Sequence, residues 1–155
     1  MILKNEYPEI RLEAECLVSR THSDFAAIAL PSGSFGKMKW DIVIGSRSDR
    51  LERMKIKPGI GLGGMVLRHG MIYMVNHNQH PSMRKECPVM LAEKLESGMA
   101  FPLPLLSAES SCGVLLLGRR TDMYMEEDIA GVQLLLAEKL LKSRCFGRYD
   151  GTTIQ

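Results

Sequence analysis

Five glycines fall within the fourteen residues Lys57–Gly70, which marks a tight turn running into or out of regular structure. Gly59, Gly61 and Gly64 spell G-x-G-x-x-G, the pattern of a dinucleotide-binding turn. That chemistry needs a buried strand before the glycines and an acidic residue about 20 positions further on for the ribose. Asp49–Lys55 is charged, with apolar side chains three apart, so it predicts one or two helical turns and no strand leading in. Downstream, Gln79–Ser82 offers no carboxylate, and the next is Glu86. The dinucleotide reading fails on both sides. What remains is a short helix over about Leu62–His69, starting near Gly61, Leu62 and Gly63 and closed by Gly70. The free N–H groups of such a start attract an anion through both donors and dipole.

A chain of 155 residues, 45% hydrophobic and 25% charged, suits one domain with a proper core. The net charge of +2, with Lys and Arg scattered, gives no stripe for nucleic acid. No leader is expected at Met1–Glu6, and no uncharged run approaches the ~20 residues of a membrane span. A cytoplasmic protein without a membrane or nucleic-acid partner is expected. Cys16, Cys87, Cys112 and Cys145 form no C-x-x-C pair and read as reduced thiols, mostly packing residues. Cys87 alone sits in a polar loop setting.

The periodicity predicts an amphipathic helix over about Pro8–Ser19, from Tyr7, Ile10, Ala14, Leu17 and Val18. Asp24–Leu30 and Met38–Ile44 read as a hairpin joined through the turn-rich Pro31–Gly36. Met71–Val75 is a third strand, followed by a polar loop over Asn76–His80 and a helix near Val89–Leu95. Gly98–Leu105 and Cys112–Gly118 form a second hairpin across Ala108–Ser110, and Pro102 and Pro104 deny it a full ladder on one side. A long helix runs from Glu126 to about Ser143, with acids at its start and Lys139, Lys142 and Arg144 at its end. Leu134, Leu135, Leu136, Leu140 and Leu141 cover more than one of its faces, so it should pack on the sheet and on another helix. The order implies an α+β domain with a mostly antiparallel sheet.

Several pieces, in order and spacing, resemble a GAF domain. They are Pro58–Val66, Tyr73–Asn76, Leu95–Leu103, Cys112–Gly118 and Met125–Ile129, together spanning about Ser23–Lys142. The resemblance implies a five- or six-stranded, mostly antiparallel sheet with helices on both faces and a ligand pocket on one. It also implies a single GAF domain over residues 1–145, with an N-terminal helix at about 8–19, a core at about 23–142 and a flexible tail over 146–155. First and last helices would pack together, often as a homodimer.

Three subfamilies can be compared residue by residue. Free methionine sulfoxide reductases place a redox cysteine in the glycine segment, where this chain has Leu62 and Gly63, leaving only Cys87 in the neighbouring loop. Cyclic-nucleotide GAF domains carry an Asn-Lys pair that Arg119–Tyr124 lacks. The nitrate-receptor GAF proteins, which modulate a histidine kinase, have a Trp in the second strand and backbone at the helix start, matched by Trp40 and by Leu62 and Gly63. A further pocket side chain maps near Met90, where that family often has an aromatic.

The reading is a non-enzymatic, cytosolic sensor without cofactor. It binds nitrate or a similar small anion through Trp40, Gly61, Leu62, Gly63, Gly64 and Met90, and signals in trans to a histidine kinase in a two-component system. A thiol redox enzyme using Cys87 and a ligand-free interaction module are the alternatives. His77 and His80, with Cys87 nearby, lack the further ligands a zinc site needs and read as a solvated loop. Arg119 and Arg120 read as solvated at a strand end, and the methionines as adaptable core.

Overall fold

Two strands in the middle of the sheet are apolar on both faces, and they divide the protein into two cores. In β1 (Phe25–Ala29), Phe25, Ala27 and Ala29 enter one core while Ala26 and Ile28 enter the other. In β6 (Cys112–Arg119), Val114 and Leu116 alternate with Leu115 and Leu117 in the same way. Such continuous runs need cover on both sides. The protein's computed structural model describes residues 7–30, 38–104 and 112–140. The expected turn at 31–36, the connection at 108–110, the last helix beyond Leu140, Cys145 and the tail lie outside the described residues.

The sheet has six strands in the order β3-β2-β1-β6-β5-β4, where β2 is Met38–Ile44, β3 Lys55–Ile56, β4 Tyr73–Asn76 and β5 Ser97–Pro104. Every neighbouring pair is antiparallel. The register slips between Ile28 and Ala29, so Ala29 pairs with Trp40 and Asp41 bulges out. β4 stops at the Tyr73–Ala100 pair, so Pro102 and Pro104 ladder only with β6, as their missing N–H groups require.

On one face lie α1 (Tyr7–Arg20) and α5 (Glu126–Leu140), held by Ile10, Ala14 and Leu17 and by Val132 and Leu136. On the other lie α2 (Gly61–His69), α3 (Pro81–Lys85) and α4 (Pro88–Glu93), packed through Leu62, Val66, Val89 and Met90. Leu134 is two-thirds exposed, so only one face of α5 is covered in the isolated chain. No helix of the described residues is long and apolar enough to cross a membrane.

Three expectations need correction. A strand does precede the glycines, the two-residue β3, which forms because Met38 and Lys39 extend β2 far enough to pair with Ile56 and Lys55. It is an antiparallel rim strand, not the buried parallel strand of a dinucleotide fold. Second, α3 breaks the segment after the polar loop, and α4 ends at Glu93 with Lys94 left-handed at φ 55°, so Leu95 is outside the helix. Third, Arg119 and Arg120 are not solvated. Arg119 is 8% exposed, lies 4.3 Å from the Tyr124 ring centre, and donates to the carbonyls of Thr21, His22 and Met123. The backbone carbonyls left open where α1 ends supply acceptors that a sequence pattern does not display.

Tyr124 ties this end together: its hydroxyl meets Ser23 Oγ, and its backbone exchanges two hydrogen bonds with the Asn76 amide. Burial raises the Tyr124 hydroxyl pKa well above its ordinary value, against a smaller opposing effect of the Ser23 hydrogen bond. The folded protein therefore keeps this proton at pH values where the unfolded chain loses it. The associated stability is full below about pH 10 and falls as pH rises above it. Denaturant midpoints measured from about pH 9 to about pH 11 are expected to fall in the wild type and to fall less steeply in Tyr124→Phe.

Candidate functional site

The glycine segment forms a turn that closes on itself before it becomes a helix. Gly59 N donates to Gly64 O at 2.7 Å and Ile60 N to Lys57 O at 3.0 Å. Gly59 and Gly61 adopt φ 86° and 71°, which only glycine reaches cheaply. A Cβ on Gly64 would lie 2.1 Å from the Lys57 carbonyl oxygen, so this residue fixes the turn by close backbone approach. Gly70, at φ 66°, ends α2 by donating to Val66 O.

No side chain caps the start of α2. Among the described residues, the Gly63 N–H reaches no carbonyl or side-chain oxygen, and the Leu62 N–H reaches only the Cys87 sulfur. A second helix start abuts the first: Pro88 occupies the opening position of α4, and that start also lacks a side-chain cap. The two meet closely enough that a Cβ on Gly61 would lie 3.1 Å from Pro88 Cδ and 3.4 Å from Cys87 Cα.

Between these starts is a cavity of about 190 Å³. Trp40 roofs it, 5% exposed, with its ring edge so near α2 that a Cβ on Gly63 would be 3.0 Å from Cζ2. Its indole N–H has no hydrogen-bond partner among the described residues. Ile56, Met90 and Leu116 supply apolar walls, and Lys55 and Lys57 also line it. Those two lysines are exposed and form no ion pair among the described residues. No acidic side chain among the described residues lines the cavity. Its polar character is thus that of N–H donors, oriented dipoles and two cations, which suits an anion small enough to be enclosed.

The structure brings Trp40, Gly61, Leu62, Gly63, Gly64 and Met90 around this single cavity. Gly64 contributes mainly through the turn. Met54, Ile56, Pro88, Val89 and Leu116 also line it and escaped the sequence reading. Pro88 carried a legible signal, a proline at a helix opening; the others are apolar residues like any in the core.

Cys87 departs from its expected setting in a polar loop. It is 5% exposed and donates its thiol hydrogen to Met83 O at 3.1 Å. Burial raises its pKa above the ordinary thiol value, opposed in part by the Leu62 amide facing the sulfur. His77 and His80 are half-buried on the turn after β4, where the Asn76 N–H donates to His80 Nδ1 at 3.3 Å. Among the described residues, no group of three or more His, Cys, Asp or Glu could hold a metal ion.

No family model matches the sequence, and no curated protein does. Among solved structures, the chain is similar to an NreA protein from Staphylococcus aureus mutated in its nitrate binding site. The two are 28% identical, over 77% of this chain and 93% of that one, with a TM-score of 0.61. The fold is shared with the GAF domain of a two-component sensor histidine kinase from Bacillus halodurans, at 19% identity, 83% and 86% coverage and a TM-score of 0.61. It is shared too with the free methionine-R-sulfoxide reductase of Neisseria meningitidis, at 18% identity, 85% and 71% coverage and a TM-score of 0.63.

The glycines of this segment should differ in cost when replaced. Gly70→Ala meets no atom within 4 Å and suffers only its left-handed backbone, which costs about 1 kcal/mol. Gly64→Ala must displace the Lys57 carbonyl and is expected to cost more. Urea midpoints of the two variants check this order.

Proposed function

This chain is a GAF domain, and on that premise we propose that it is a small-anion sensor, with nitrate the preferred ligand. The observation that carries the proposal is the meeting of two helix starts without side-chain caps in one cavity, where, among the described residues, the Trp40 indole N–H has no partner and no acidic side chain lines the wall. Likeness to an NreA protein with a nitrate binding site supports the choice of ion. Nitrate is planar, singly charged and weakly hydrated, so it loses less on leaving water than phosphate does. The Gly63 amide donates to its oxygens, the Leu62 amide turns to it from the Cys87 sulfur it otherwise faces, Trp40 donates or covers its flat face, and Met90 closes the apolar side. Charge-assisted hydrogen bonds contribute about 1.5–3 kcal/mol each, enough together for micromolar binding in a preformed site.

The sensor is non-catalytic and works in the cytoplasm, and its output passes in trans to a signalling protein. A histidine kinase is the partner favoured by the occurrence of this fold within a two-component sensor kinase. A second copy of the chain packs along α1 and α5, where Leu12 and Leu134 are exposed.

The thiol-enzyme reading draws on the fold shared with free methionine-R-sulfoxide reductase. It is disfavoured by chemistry: burial holds Cys87 protonated, whereas the nucleophile of such a reaction is the thiolate. The other described free cysteine, Cys16, is carried by α1 on the opposite face of the sheet.

Titration calorimetry with nitrate, nitrite, chloride and cyclic nucleotides tests the reading. Nitrate is expected to bind with one site per chain; absence of heat with every anion would overturn it. Trp40→Phe keeps an aromatic roof without the N–H, and a loss of about tenfold in nitrate affinity is expected, the low end for one charge-assisted hydrogen bond. Nitrate should also slow iodoacetamide labelling of Cys87, read by mass on the Cys87 peptide.

A further inference from the structure

A buried carboxylate lies one helical turn beyond the cavity. Glu93 closes α4, and its side chain has no exposure at all. Its carboxylate is nevertheless fully engaged. Oε1 accepts from Arg47 N at 2.8 Å and from Arg120 Nη2 at 2.9 Å, and Oε2 accepts from Ser46 Oγ at 2.5 Å. Arg120 also donates from Nε to Glu93 O and from Nη2 to Gly45 O, each at 3.0 Å, while its backbone N–H donates to Asp24 Oδ2 at 2.8 Å.

What this network joins is specific. Val89 and Met90 precede Glu93 by one turn and form one wall of the cavity. Ser46 and Arg47 open the segment after β2 that leads, past buried Leu51, to Met54, Lys55 and Ile56, the opposite wall. Arg120, at the end of β6, is fixed to β1 through Asp24. Neither wall is a long regular element: α4 has six residues and β3 two. Short elements hold little position by themselves, and a polar network centred on a fully buried carboxylate supplies the missing constraint.

We propose that Glu93 and Arg120 are positioning residues that clamp the two walls of the ligand cavity at the spacing an anion requires. The proposal rests on the anion-sensor reading for its ligand, but the clamp itself is a statement about the cavity. Glu93 does not line the cavity; it acts by fixing the end of α4 and the Met54–Ile56 wall against the sheet. Removing its charge leaves Arg120 buried without its counter-ion, which loosens that junction.

The test compares Glu93→Gln, which keeps the shape, with Ser23→Ala, which breaks the Ser23–Tyr124 contact on the opposite side of the sheet. For each variant three quantities are read: thermal midpoint, nitrate dissociation constant, and the rate of iodoacetamide labelling at Cys87 without ligand. Glu93→Gln is expected to bind nitrate at least tenfold more weakly and to label Cys87 several-fold faster. Ser23→Ala is expected to lose thermal stability while keeping wild-type affinity and labelling. Should Glu93→Gln fail to fold, Ser46→Ala removes one donor from the same carboxylate and is expected to move both readouts in the same direction. The clamp is overturned if affinity and labelling in the clamp variants stay at wild-type values, or change equally in Ser23→Ala. If wild-type protein binds no nitrate but Glu93→Gln still exposes Cys87, the anion reading falls and the clamp stands.

Discussion

The structure depends on β1 and β6 being buried on both faces. Two strands that offer Phe25, Ala27 and Leu116 to one side and Ile28, Leu115 and Leu117 to the other cannot lie at a solvent surface. Helices must cover each side, and the two layers then differ in kind. α1 and α5 are regular helices with fourteen and fifteen residues. The opposite layer is assembled from short helices, α2, α3 and α4, beside the two-residue rim strand β3. Helix ends carry unsatisfied polar groups, so this side concentrates the donors from which a binding site can be made.

The proposed function rests on geometry and not on an unusual side chain. The glycines bring backbone close to an indole ring, and Pro88 begins a second helix against the first. In that proposal the donors belong mostly to the main chain, and selectivity would come from enclosure. On the proposed reading, an anion too large, or too well hydrated to enter, would be refused without any residue dedicated to refusing it.

Much of the fold was legible because hydrophobic period and turn chemistry agreed. Alternation placed β2 at Met38–Ile44 to the residue, and Gly70 marked the end of α2. The two-residue β3 was not legible, since Lys55 and Ile56 have no period to read and pair only because β2 runs past them. The GAF architecture, expected with five or six strands and found with six, followed from the ordered set of pieces, no one of which would have sufficed, while the nitrate-receptor resemblance rested on Trp40, Leu62 and Gly63. Trp40 and the helix start stood out as a candidate site, the first through the resemblance to nitrate-receptor GAF proteins and the second through its clustered glycines. Arg119, Arg120 and Glu93 were not, because nothing in a one-dimensional string distinguishes a charge that finds carbonyls from one that finds water. Their partners lie up to 98 residues away along the chain.

The rims of the sheet have a separate bearing on how this protein behaves at high concentration. At one margin only two residues, one of them Lys55, present open backbone; at the other, β4 is four residues long and prolines follow in β5 where it stops. Neither margin offers a long flat row of vacant donors and acceptors. A stray strand from another molecule finds little to template on, so growth into fibrils by edge addition is blunted at both sides.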